Sequence, residues 1–105
     1  MAQRKDKIVD HIKDYIKKIE TDNISLDKVY LFGSYASGKQ KDWSDIDVAL
    51  VSKLFTGDLI DDKNRIRKIT LKFDYLISPI TFNTSDFNES NPFAREIINT
   101  GIRIL

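Results

Sequence analysis

Near the start of the chain, Ile8, Val9, Ile12, Tyr15, Ile16 and Ile19 recur at helical spacing, while Lys7, Asp10, Lys13, Asp14, Lys17 and Lys18 take the opposite face. This period predicts an amphipathic helix over residues 5–20. It closes at Thr21, Asp22 and Asn23, whose side chains favour turns and caps. Val29, Tyr30, Leu31 and Phe32 then form a continuous apolar run, which predicts a strand over 28–32 covered on both faces. Gly33 and Ser34 stop it, and residues 33–44 predict a loop with room for one helical turn. A second strand is predicted over 46–52, rich in Val, Ile and Leu. Leu59, Ile66, Ile69 and Phe73 return to helical spacing, with Asp61, Asp62, Lys63, Arg65 and Lys68 on the other side, predicting a helix over 58–69. Leu71, Phe73, Tyr75 and Ile77 alternate, which predicts a third strand over 71–78 that Pro79 ends. Thr84, Ser85 and Asp86 suit a turn. Pro92 suits the first position of a helix carrying Phe93, Ile97 and Ile98 inward, and Gly101 its end. Residues 102–105 predict a last edge strand. The order implies an α/β (α+β) fold: a small mixed sheet of three to four strands covered by helices, one domain over residues 1–105.

Composition narrows the chemistry. The 105 residues contain no cysteine, which excludes disulfide scaffolds, thiolate zinc sites and cysteine nucleophiles. Seventeen Lys and Arg oppose sixteen Asp and Glu, a net charge of +1. Nothing here holds nucleic acid by bulk electrostatics, and no direct nucleic-acid partner is expected. With no apolar region behind Met1–Lys7 and no run of membrane length, the expected setting is cytoplasmic, without a membrane partner. The length suits one domain and is small for a complete enzyme with its own substrate pocket.

The informative stretch runs from Phe32 to Val48. In a strand alternate side chains share a face, so Asp45 and Asp47 project together, about 7 Å apart along the strand. Each carboxylate resists ionising beside the other, a penalty that a hard divalent cation such as Mg²⁺ removes. Gly33 and Ser34 follow a buried strand directly; a glycine there lets backbone approach a ligand closely, and the serine adds a hydroxyl donor. Asp74 stands on the polar face of the expected third strand, where an unpaired carboxylate is costly. Three acids on neighbouring strands facing a phosphate-type loop describe a two-metal phosphoryl or nucleotidyl transfer site.

Gly33-Ser34, ten residues, then Asp45-Ile46-Asp47 resembles the signature of polymerase β-like nucleotidyltransferases. In so short a chain it resembles the minimal nucleotidyltransferases that serve as antitoxins of HEPN-domain toxins. The similarity extends to the first helix, to Asp74 and to the closing Ile97–Ile102 stretch. It implies ATP as co-substrate, two Mg²⁺ ions, and transfer of AMP to a tyrosine hydroxyl of the HEPN RNase toxin. By position it implies that Gly33 and Ser34 hold the triphosphate. It also implies that Asp45, Asp47 and Asp74 are the metal ligands and catalytic residues, with Asp74 taking the acceptor's proton. Many relatives carry arginine where this chain has Ser37, with Lys39 or Lys41 the nearby cations. This departure keeps an alternative open: a non-catalytic module that neutralises the toxin by masking it. Elsewhere, His11 is expected to be a surface residue, the Lys63, Arg65, Arg67, Lys68 and Lys72 cluster a solvated helix face, and Tyr75 a core residue; Trp43 and Tyr35 are expected either to pin the motif loop or to stack on a base or meet the partner.

Overall fold

The computed structural model describes the backbone of residues 3–105 and, apart from Leu59, the side chains from Lys7 onward. Helix α1 (Gln3–Thr21) is followed by β1 (Lys28–Phe32), a one-turn helix α2 (Ser34–Ser37) and β2 (Ile46–Val51). Helix α3 (Leu59–Phe73) leads to β3 (Ile77–Phe82), a 3₁₀ turn (Thr84–Asp86), α4 (Pro92–Thr100) and the short β4 (Ile102–Arg103). The strands form one mixed sheet in the order β3-β2-β1-β4. β1 is antiparallel to both β2 and β4, and β3, reached through α3, runs parallel to β2.

The sheet is covered on both sides. Ile12, Tyr15, Ile16 and Ile19 of α1 and Ile66 of α3 bury the face that carries Val29, Leu31, Ile46, Val48, Leu50 and Ile77. Ala94 and Ile97 of α4, with Phe87, bury the opposite face at Tyr30, Ala49, Val51 and Phe82. The β2 residues from Val48 to Val51 are each 0% exposed, as expected of a strand covered on both faces. Asn91 caps α4 by accepting from the Phe93 and Ala94 N–H groups, and Pro92 occupies its first turn.

The region after α3 departs from the sequence expectation. Residues 71–73 are the last turn of α3, and the third strand lies at 77–82. Ile66, Ile69, Thr70 and Phe73 continue the helix's inward stripe, whereas Leu71 and Tyr75 are 56% and 77% exposed. Tyr75 is therefore not a core residue. Pro79 lies inside β3 instead of ending it, because β3 is an edge strand and alternate N–H groups along an edge have no ladder to join. Asp62, expected on the outer face of α3, is 1% exposed. Its carboxylate accepts from Thr56 N–H (2.8 Å), Thr56 Oγ1 (3.0 Å) and Gly57 N–H (3.0 Å), closing the loop that enters α3.

Candidate active site

The site forms where β1 ends and β2 begins. These strands are antiparallel, with Phe32 opposite Asp47, so Gly33 emerges beside the Asp47 side chain. Gly33 has φ 72° and ψ −149°, a conformation that other residues enter only under strain. A methyl group built on it would overlap Asp47 Oδ2 and come within 3.1 Å of Asp47 Cγ. The glycine is thus required twice, by its backbone conformation and by the carboxylate lying against its Cα. The turn is tied down locally: Ala36 and Ser37 N–H both bond Gly33 O at 3.1 Å, and Lys39 N–H bonds Ser34 O at 3.0 Å. The Ser34 and Tyr35 amides, at the open end of this turn, have no acceptor within it.

Ile46, Val48 and Leu50 face α1 and α3, and Ala49 and Val51 face α4, so Asp47 belongs to the α4 side of the sheet. Asp45, one residue before the strand and in phase with Asp47, is exposed, whereas Asp47 is half-buried. Burial pushes the Asp47 carboxyl above the usual carboxylate range, and the neighbouring Asp45 charge adds to the effect. The pairing expected from the sequence is therefore present. On the same side, a cleft of about 340 Å³ is lined by Phe32, Gly33, Ser37, Phe93, Glu96 and Thr100. Ser37 turns its hydroxyl back on Ser34 O at 3.2 Å.

Asp74 does not join the pair. It follows α3 as its C-cap instead of standing on a strand, and its N–H bonds Thr70 O. Its carboxylate bonds Leu76 N–H at 2.9 Å and His11 Nε2 at 2.9 Å, which holds it towards α1, on the other side of the sheet from Asp47. Among the described residues, no three His, Asp or Glu side chains converge as a metal-holding group. The expectation of three acids on neighbouring strands fails because the strand begins three residues after Asp74. His11, expected to be an unpartnered surface residue, is paired across 63 residues and stacks on Phe73 with ring centroids 4.8 Å apart. Trp43 is 73% exposed beneath the Lys41 ammonium, so it does not pin the loop; Tyr35 packs against the α1-side core and does.

The strand neighbour of Asp47 is Ser78, which a sequence reading with the strand at 71–78 could not place there. The two are in parallel register, and Ser78 shares the side of Ile80 and Phe82, which face α4. The donor set beside Gly33 is therefore two carboxylates and a hydroxyl. Oxygen donors of this kind suit a hard divalent cation.

An open α/β sheet with paired carboxylates against a glycine-serine turn defines a phosphate-handling enzyme, and the comparisons specify the class. The family model described as "Polymerase beta, Nucleotidyltransferase" matches residues 12–105. A protein of Methanocaldococcus jannaschii provisionally named a protein adenylyltransferase is 36% identical over 102 residues, covering 92% of this chain and 98% of that protein. The chain belongs to the polymerase β nucleotidyltransferase family. A second protein of that organism with the same provisional name is 35% identical over 83 residues, 73% of this chain and 56% of its own length. Among solved structures, a toxin–antitoxin complex with AMP-PNP shares 27% identity and a TM-score of 0.61, covering 88% of this chain and 71% of that one. A provisionally assigned nucleotidyltransferase from Sulfolobus solfataricus shares the fold at a TM-score of 0.63 and 19% identity, covering 96% and 82%. A mutant of the toxin–antitoxin pair MntA–HpeT does so at 0.53 and 23%, covering 96% and 72%.

Proposed function

We propose that this nucleotidyltransferase moves AMP from ATP to a tyrosine hydroxyl of a HEPN-type RNase toxin and so acts as its antitoxin. The observation that carries this reading is the contact of Gly33 with Asp47. It sets a glycine-serine turn and an Asp-x-Asp pair against each other at the cleft on the α4 side of the sheet. The names of the similar M. jannaschii proteins support protein adenylylation, and the similar toxin–antitoxin complex with AMP-PNP supports a toxin partner and an adenine nucleotide.

In this reading the Ser34 hydroxyl and the turn's free amides hold phosphate oxygens. Asp45 and Asp47 hold Mg²⁺, which neutralises charge on the phosphate groups when bound. Gly33 keeps Asp47 in place by leaving room for it. The acceptor oxygen forms a bond to the α-phosphorus as the bond to the β-phosphate bridging oxygen breaks. Pyrophosphate leaves, and the acceptor's proton goes to solvent or to a base on the partner. The chain's contribution is positioning and charge, as in phosphoryl transfer generally.

A second reading has its own support: neutralisation by masking, favoured by the absence, among the described residues, of a third carboxylate grouped with Asp45 and Asp47. ATP labelled at the α-phosphate, Mg²⁺ and the purified toxin separate the two. Label on the toxin with the wild type but not with Asp45→Asn supports transfer. Full neutralisation by Asp45→Asn with no label establishes masking instead.

A further inference from the structure

We infer that this active site holds a single divalent cation with the nucleotide, because neither strand position flanking Asp47 on the α4 side, Ser78 of β3 or Phe32 of β1, supplies a third carboxylate. The inference rests on the proposed nucleotidyl transfer and concerns the same site. Two features of the sheet lead to it. First, parallel strands set register partners about 5 Å apart with side chains on the same side. Asp47 pairs with Ser78, and both belong to the side facing α4, so a third ligand contributed by β3 has to come from residue 78. A serine hydroxyl is neutral there and takes no proton from an acceptor at neutral pH. Second, the acid nearest in sequence is engaged elsewhere. Asp74 lies four residues before Ser78, ends α3, and is bonded to His11 and to the Leu76 amide. Freeing it would break the α1–α3 contact in which His11 stacks on Phe73 and still leave it on the α1 side.

Two carboxylates suffice for one ion that keeps most of its waters or phosphate oxygens. A pair of ions about 4 Å apart carries four positive charges, of which two carboxylates offset half, and a third carboxylate beside Asp47 is what would hold the second ion without relying on the nucleotide's phosphates. It follows that the group accepting the toxin hydroxyl's proton is outside these strands.

Counting Mn²⁺ bound in the presence of AMP-PNP, by calorimetry and by electron paramagnetic resonance, tests the inference without requiring turnover. The wild type is expected to bind one Mn²⁺ per chain in a nucleotide-dependent manner, and Asp74→Asn to bind the same number. Ser78→Asp, which adds a carboxylate beside Asp47, is expected to bind two, with the dipolar coupling of a close pair. Two ions in the wild type, or a count lowered by Asp74→Asn, overturns the inference and leaves nucleotidyl transfer standing. So does a Ser78→Asp protein that folds, binds AMP-PNP and still takes one ion. If AMP-PNP brings no Mn²⁺ to the wild type at all, the proposed function itself fails. The wild-type and Asp74→Asn counts decide the matter even if Ser78→Asp does not fold.

Discussion

Gly33→Ala tests the contact on which the site is built. The substitution has two separable costs. At φ 72° and ψ −149°, a residue with a side chain carries backbone strain of about 1–3 kcal/mol. The added methyl also overlaps the Asp47 carboxylate, and relieving such overpacking costs about 1–3 kcal/mol more, near the lower end because half-buried Asp47 can swing towards solvent. The expected loss is about 2–4 kcal/mol, a substantial part of the ~5–15 kcal/mol that stabilises a domain. Urea unfolding followed by far-ultraviolet circular dichroism measures it. A double-mutant cycle divides it. In an Asp47→Ala background the overlap is gone and only the strain remains, so Gly33→Ala should cost about 1–2 kcal/mol less there. Nucleotide-dependent Mn²⁺ binding should fall in the single mutant as the carboxylate is displaced. Gly33→Ala within about 0.5 kcal/mol of wild type, the size of an ordinary surface change, or strict additivity with Asp47→Ala, would refute the contact.

Asp47→Asn is expected to raise stability while abolishing metal-dependent nucleotide binding. The folded protein holds this carboxyl's pKa above its unfolded value, chiefly through burial and then through Asp45. Its contribution is thus fully present below the unfolded pKa and is lost as pH rises through the folded one, so the gain from asparagine should appear in urea midpoints at pH 7 and vanish in acid. Tyr15 is 0% exposed, its hydroxyl lies 2.6 Å from Thr70 Oγ1, and burial pushes its pKa up to about 12. The same sign applies: stability should fall as pH rises from about 10 towards 12, by at most ~3 kcal/mol at ~1.4 kcal/mol per pH unit. Tyr15→Phe should lose about 1 kcal/mol at pH 7 and flatten that alkaline decline in pH-dependent unfolding. Asp62→Ala leaves the Thr56 and Gly57 donors without their acceptor and should cost about 1–3 kcal/mol, read as a lowered urea midpoint.

The parts of this fold written in short-range periodicity were legible from the sequence. Ile12, Tyr15, Ile16 and Ile19 of α1 are all buried as their spacing implies, and the two-residue spacing of Asp45 and Asp47 brings their charges close enough to act on each other. Around residues 71–77 two periods overlap. Leu71, Phe73, Tyr75 and Ile77 alternate like a strand, but Ile66, Ile69 and Phe73 extend a helix. Tertiary contact decides between them, because Phe73 stacks on His11 and lies against Tyr15. The acid misplaced with that strand was the one whose partner lies 63 residues away. Asp62 was likewise illegible, since the donors it serves come from a loop whose closure no periodicity reports.

The placement of Ser78 depends on the register of β3, and that register is pinned. A shift by one residue would set Ile77 or Pro79 beside Asp47 and turn Ile80 and Phe82 from the α4 side into the core under α1 and α3. A shift of two keeps the faces but sets Leu76 or Ile80 beside Asp47, which supplies no donor at all. Only a slide of four residues brings Asp74 level with Asp47. It would unwind the last turn of α3, remove Phe73 from its stack on His11, and draw Phe82 away from Phe87 and Phe93. Each of these steps gives up buried aromatic surface, worth roughly 1.5–3 kcal/mol per large side chain. The same packing that makes β2 rigid enough to hold Asp47 against Gly33 therefore keeps a hydroxyl, and no third carboxylate, at its side.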